Sequence, residues 1–136
     1  MNKWLVDDWV NECALKPIKY FTPTAIEKDT GISLEEVFER LMELVNDNKL
    51  ELYWRIVCPV CFRQLYICKS TDRIPRYIDC VECGKQQVTE DMIFPLFSIS
   101  NEYREHIKSL KKLSIRLFML VFFNVQKLTN YNLLNI

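Results

Sequence analysis

Glycine and histidine are nearly missing from this chain: two Gly and one His occur among 136 residues. A phosphate-cradling loop needs glycines at fixed spacing, so that backbone N–H groups can approach the anion. Gly31 and Gly84 are too far apart to build one. The lone imidazole, His106, sits in a Lys/Glu-rich stretch, which argues against a Ser-His-Asp site. Long apolar runs are also missing. Arg116 and Asn124 bracket only seven apolar residues, against the roughly 20 that span a bilayer. Asp7 and Asp8 interrupt the start of the chain, so no secretory apolar region is read there. The expected location is therefore cytoplasmic, a reducing compartment. Neither charge sign is in excess, with 18 basic and 18 acidic residues.

Cysteine is plentiful by contrast, with six residues. In a reducing compartment, clustered cysteine points to metal or catalysis rather than disulfides. Cys58-Pro-Val-Cys61 and Cys80-Val-Glu-Cys83-Gly84 are two C-x-x-C knuckles separated by 18 residues. Each knuckle turns tightly enough to aim two thiolates at one point. Short strands at Phe62–Ile67 and Arg76–Asp79 are expected to form a hairpin that folds the pairs together. Four thiolates at about 2.3 Å make a closed tetrahedral zinc site with no open position for water. The expectation is one structural Zn²⁺ held by Cys58, Cys61, Cys80 and Cys83. Cys13 and Cys68 fall outside the knuckles and read as small buried hydrophobes.

Before the knuckles the pattern is helical. Leu5, Trp9 and Cys13, widened by Val6 and Val10, mark an amphipathic helix over 3–15. Thr22 before Pro23 starts a short helix that Gly31 ends. Ser33 with Glu36 reads as a capping box opening a longer helix. Its expected buried stripe is Leu34, Val37, Phe38, Leu41, Leu44 and Val45. Leu50–Val57 alternates as a strand. Beyond Pro95 a last helix is expected from about Asn101, with Ile107, Leu110, Leu113, Leu117 and Val121 at helical spacing. Leu117, Phe118, Val121 and Phe122 are its candidate interface residues, because a large exposed apolar patch marks an interface.

Three helices followed by a strand resemble a winged-helix domain, and the double knuckle resembles a zinc ribbon. The order of the two resembles the alpha subunit of general transcription factor E and its archaeal counterparts. Related combinations occur in bacterial regulators and in accessory proteins of mobile-element and phage-defence systems. The resemblance covers residues 1–97 and carries over only the four knuckle cysteines. The expected fold class is α+β, divided as a winged-helix-like domain (1–57), a zinc ribbon (58–97) and a C-terminal apolar and basic helix (98–136). In that architecture the winged helix often contacts proteins.

Charge separates the functional readings. Residues 24–54 carry eight acidic against three basic side chains, net −5. The helix that would enter a DNA groove offers Glu35, Glu36, Glu39 and Glu43 with only Arg40, a surface that a polyanion repels. Residues 55–87 carry six basic against three acidic, net +3. Arg63, Lys69, Arg73, Arg76 and Lys85, interleaved with Tyr66 and Tyr77, are candidate nucleic-acid contacts. Residues 101–136 are net +4, six basic against two acidic. The leading expectation is a non-enzymatic, zinc-stabilised adaptor or regulator that binds a protein partner or a second copy. A nucleic-acid-binding regulator using the basic ribbon and tail is the alternative. A membrane-associated accessory protein, using the cluster Leu117–Phe123 beside Lys111, Lys112 and Arg116, is a further one.

Overall fold

Local chemistry sets the helix boundaries. The computed structural model describes residues 2–134, with side chains through Gln126. Helix α1 spans Lys3–Ala14. Helix α2, Pro23–Thr30, has Pro23 in its first turn, where a missing N–H costs nothing. Gly31 follows with φ 75°, the left-handed conformation that closes a helix and that glycine adopts without penalty. Helix α3, Leu34–Asn46, starts at Ser33, whose hydroxyl accepts from the Glu36 N–H at 3.4 Å. This is the Ser33 half of the expected capping box.

Strand β1, Leu50–Val57, pairs antiparallel with β2, Gln64–Lys69, and with β5, Ile93–Ile99. The sheet order is β2-β1-β5. Phe21, between α1 and α2, adds an isolated antiparallel bridge to Phe97 on the far side of β5. Strands β3, Tyr77–Cys80, and β4, Gly84–Gln87, form a separate antiparallel pair. The chain is thus α+β. Residues 93–99, of which 93–97 were grouped with the ribbon and 98–99 with the C-terminal helix from sequence, instead pair with β1 from Leu50 to Ile56. The cysteine segment is an insertion between β1 and β5.

The core lies where α1, α2 and α3 cover β1 and β5. Val6, Val10, Cys13, Ala14, Phe21, Ile26, Val37, Leu41, Leu44, Leu50, Phe97 and Ile99 form one buried cluster. Fully burying a side chain such as Leu41 or Ile26 stabilises by about 1.5–3 kcal/mol. Leu5, Phe38 and Val45 are only partly buried, and two further expected core positions have particular surroundings. Leu34, at the start of α3, is 41% exposed. Trp9 is only partly buried, and its indole N–H donates to Asp29 at 2.8 Å.

Helix α4, Asn101–Leu134, begins at Ser100, whose hydroxyl accepts from the Tyr103 N–H at 3.2 Å. Arg104 donates to the carbonyls of Ala14, Lys16 and Ile18 at 3.0, 2.6 and 2.7 Å. It thereby satisfies open carbonyls at the end of α1, where a cation also suits the helix dipole. Tyr103 donates to Asn11 at 2.6 Å. From Lys108 through Gln126 every side chain is exposed. Lys127, which adds to the positive charge of this segment, lies outside the residues whose side chains are described.

Candidate metal centre

Each knuckle is the turn of its own hairpin. The expected hairpin joining the knuckles, with β2 against β3, does not form as a ladder; β2 pairs with β1, and β3 with β4. Cys58 to Arg63 makes the β1–β2 turn. The Cys58 N–H donates to the Arg63 carbonyl, and the Phe62 N–H to the Cys58 carbonyl, both at 2.9 Å. This turn consumes Phe62 and Arg63, so β2 starts at Gln64 rather than at Phe62. Val81 to Cys83 makes the β3–β4 turn, closed by the Cys80–Gly84 pair.

The residue after the second cysteine of each knuckle is left-handed. Gly84 has φ 82°, and Phe62 has φ 61°. A left-handed conformation costs a side-chain-bearing residue about 1–2 kcal/mol. Phe62 therefore holds strain at the position that Gly84 occupies freely. Its ring is also 77% exposed, so burial does not compensate.

The two turns bring the sulfurs of Cys58, Cys61, Cys80 and Cys83 within 4.8 Å of one another. The Cys61–Cys80 separation is 3.5 Å. Four thiolates at about 2.3 Å from a central ion stand about 3.8 Å apart, which this cluster matches. The four cysteines are positioned to bind a metal ion. Cys58 and Cys80 are buried, Cys61 half-buried and Cys83 exposed. Cys13 and Cys68 are buried elsewhere, as expected of fillers.

Backbone amides prepare the site for anionic sulfur. N–H groups of Cys61 and Val60, helped by Gln86, hold Cys58 down to about 6 against the opposing effect of burial. Amides of Cys83 and Glu82 lower Cys80 in the same way. The Arg63 amide lowers Cys61, but burial and the sulfurs of Cys80 and Cys58 outweigh it, and this thiol is raised. Burial, then the other three sulfurs, pushes Cys83 up to about 12. Without metal, the four groups cannot all ionise near neutrality; a central cation removes that conflict. Metal binding therefore competes with protons and weakens as pH falls.

Gln86 was not legible from the sequence as part of this site. It donates its side-chain N–H to the Cys58 sulfur at 3.1 Å. Its one signal is its place on β4, three residues after Cys83, in a strand with no apolar side chain. Arg63 donates to Glu82 at 2.6 Å and so joins the two turns across the surface. Lys85 lies over the Tyr77 ring at 5.1 Å. Lys69 ends β2, while Arg73 and Arg76 lie in the connection to β3, all exposed.

No family model matches this chain, and neither a curated protein nor a solved structure matches it. The reading of the site rests on its own geometry. Among the described residues, no helix is long and apolar enough to cross a membrane. Leu117, Phe118, Val121 and Phe122 are exposed together on α4.

Proposed function

We propose that this protein is a non-enzymatic adaptor or regulator that works through protein contacts and is stabilised by one Zn²⁺. The observation that carries this is α4. Leu110, Leu113, Leu117, Phe118, Leu120, Val121, Phe122 and Phe123 are each 45–68% exposed on it. A soluble chain rarely leaves so long an apolar surface uncovered unless something else covers it.

Zinc is the ion that suits four thiolates in a closed tetrahedron. With all four positions filled by protein, no site remains for a metal-bound water, which supports a structural role. The winged-helix reading is supported by the order α1–α2–α3–β1–β5 and by the Phe21–Phe97 bridge, which ties the segment between α1 and α2 to the outer edge of β5. A protein-contacting use of that domain is supported by the charge of α3. Glu35 and Glu39 are exposed, and Arg40 is held by Asp7 at 2.8 Å and Glu43 at 2.5 Å. No cation of α3 is left free for phosphate.

The runner-up is nucleic-acid binding through Arg63, Lys69, Arg73, Arg76 and Lys85, favoured by Lys85 over exposed Tyr77. Fluorescence anisotropy with labelled duplex DNA and single-stranded RNA at low salt separates the two. The expected result is no binding. Binding that falls steeply with salt and is lost in Arg73→Glu/Arg76→Glu would replace the adaptor reading with the nucleic-acid one.

A further inference from the structure

A groove of about 670 Å³ lies between the starts of α2 and α3 and the edge of β5. Pro23, Leu34, Phe38, Phe94 and Pro95 line it, with Glu35 and Arg55 as its charged members. Leu34 and Phe94 are each more than 40% exposed there, 41% and 43%. The Nε of Arg55 is buried with no hydrogen-bond partner. Glu39 sits one turn along α3 from Glu35 and is exposed. The groove is thus apolar inside, with Glu35 at its α3 side and Glu39 one turn beyond it, outside the lining itself.

A β-strand is the wrong occupant. Phe97 exchanges both backbone hydrogen bonds with Phe21, at 2.9 Å each, so its polar groups face the outer edge of β5. By alternation, Pro95 faces the same edge, and it has no N–H to offer an added strand. The groove must therefore be read by side chains projecting from a helix.

The same chain presents such a helix. On α4 the rings of Phe118 and Phe122 stack at 6.4 Å on one face. Lys111 lies seven residues, about two turns, before Phe118 on that face, with Lys112 next to it in the chain, both exposed. This surface is aromatic where the groove is apolar, and its two lysines complement Glu35 and the neighbouring Glu39 on α3. An aromatic face also suits Arg55, because a ring stabilises a guanidinium without accepting a hydrogen bond. Within one chain the match is unmade: α4 continues unbroken from Asn101, and Phe118 is 68% exposed about 16 Å beyond Ile107.

We infer that the groove takes the Phe118–Phe122 face of α4 from a second copy of this chain. Lys111 and Lys112 would face Glu35 and Glu39 of that copy. When each copy lends its helix to the other, the contact closes as a two-fold dimer. This rests on the protein-contact reading above and names the partner.

The test is sedimentation equilibrium of the full, metal-loaded chain at low salt. The expected result is a dimer. Glu35→Lys/Glu39→Lys and Lys111→Glu/Lys112→Glu should each weaken it by about tenfold or more, because like charges then meet. The four substitutions together in one chain should restore it. All four positions are exposed, and far-ultraviolet circular dichroism checks that each variant stays folded. Phe118→Ser/Phe122→Ser should abolish dimerisation. A monomer at all concentrations overturns the inference while leaving the nucleic-acid test of the adaptor reading unaffected. A dimer insensitive to Glu35→Lys/Glu39→Lys also overturns it, and points to α4 pairing with α4 through Leu110, Leu113, Leu117 and Leu120.

Discussion

The helical body and the cysteine insertion are held together by different forces. In the body, three helices bury a continuous apolar cluster against β1 and β5. No residue between Cys58 and Met92 belongs to that cluster. Inside the insertion the buried apolar residues are Cys58, Cys68, Cys80 and Met92, and two of these are metal-site cysteines. Strand β4, Gly-Lys-Gln-Gln, has no apolar side chain at all. A hairpin of that composition cannot offset its own ordering entropy through burial. A bound metal can, since a structural zinc contributes folding free energy directly. One chain thus joins a part that buries a continuous apolar cluster to a part whose four clustered cysteines are positioned to bind a metal ion.

Metal removal should break the comparison most visibly. Structural zinc is worth about 10–16 kcal/mol in small finger-like units. A chelator, or Cys58→Ser, should therefore strip hydrogen-exchange protection from residues 58–92. Amides of α1, α2 and α3 should keep theirs. If α3 loses protection in step with β3, the two parts are one cooperative unit and the contrast is wrong.

The converse change acts on the body. Leu41 is fully buried, and Leu41→Ala should cost about 2–5 kcal/mol in denaturant unfolding. Zinc content should stay at one per chain, read by metal analysis of the folded variant. Loss of zinc in that variant would mean that the core supports the knuckles more than their geometry suggests.

The smallest effect compares the two turns with each other. Phe62→Gly relieves the left-handed strain at φ 61° and should stabilise the metal-bound insertion by about 1 kcal/mol. Gly84→Ala should do the opposite by a similar amount. Nothing lies within 4 Å of an added Cβ there, so the penalty is one of backbone conformation alone. A shift in the denaturant midpoint for zinc release checks both. An unchanged midpoint in Phe62→Gly would show that the ring stabilises the turn in some other way.

Strongly periodic segments and paired cysteines were legible because their signals are local. Gly31, Ser33 and the alternation of Leu50–Val57 each act over a few residues, and the structure places them as expected. Strand β5 was not legible. Ile-Phe-Pro-Leu-Phe-Ser-Ile has no period-two polarity and contains a proline. Pro95 is tolerated because its nitrogen faces away from β1. Arg104 was counted in the positive charge of the tail, yet it is bound to the carbonyls of Ala14, Lys16 and Ile18, at and just beyond the end of α1. Leu34 fits a helical apolar stripe but lies at the helix start, beyond the edge of the core.

Scarce glycine and histidine argued against several chemistries, and two knuckles 18 residues apart already pointed to the four cysteines that cluster in the structure. Those conclusions needed only composition and spacing, because a C-x-x-C turn carries its geometry within itself. Only the tertiary structure decided that the metal lobe interrupts the β1–β5 pair rather than following the helical domain. That pairing joins Leu50 to Ile99 across the whole insertion, and no local pattern encodes so distant a partner. It also decided that the apolar part of α4 stands exposed while its first turns are fastened to α1. A hydrophobic period says that a face must be covered; what covers it depends on where the rest of the chain goes.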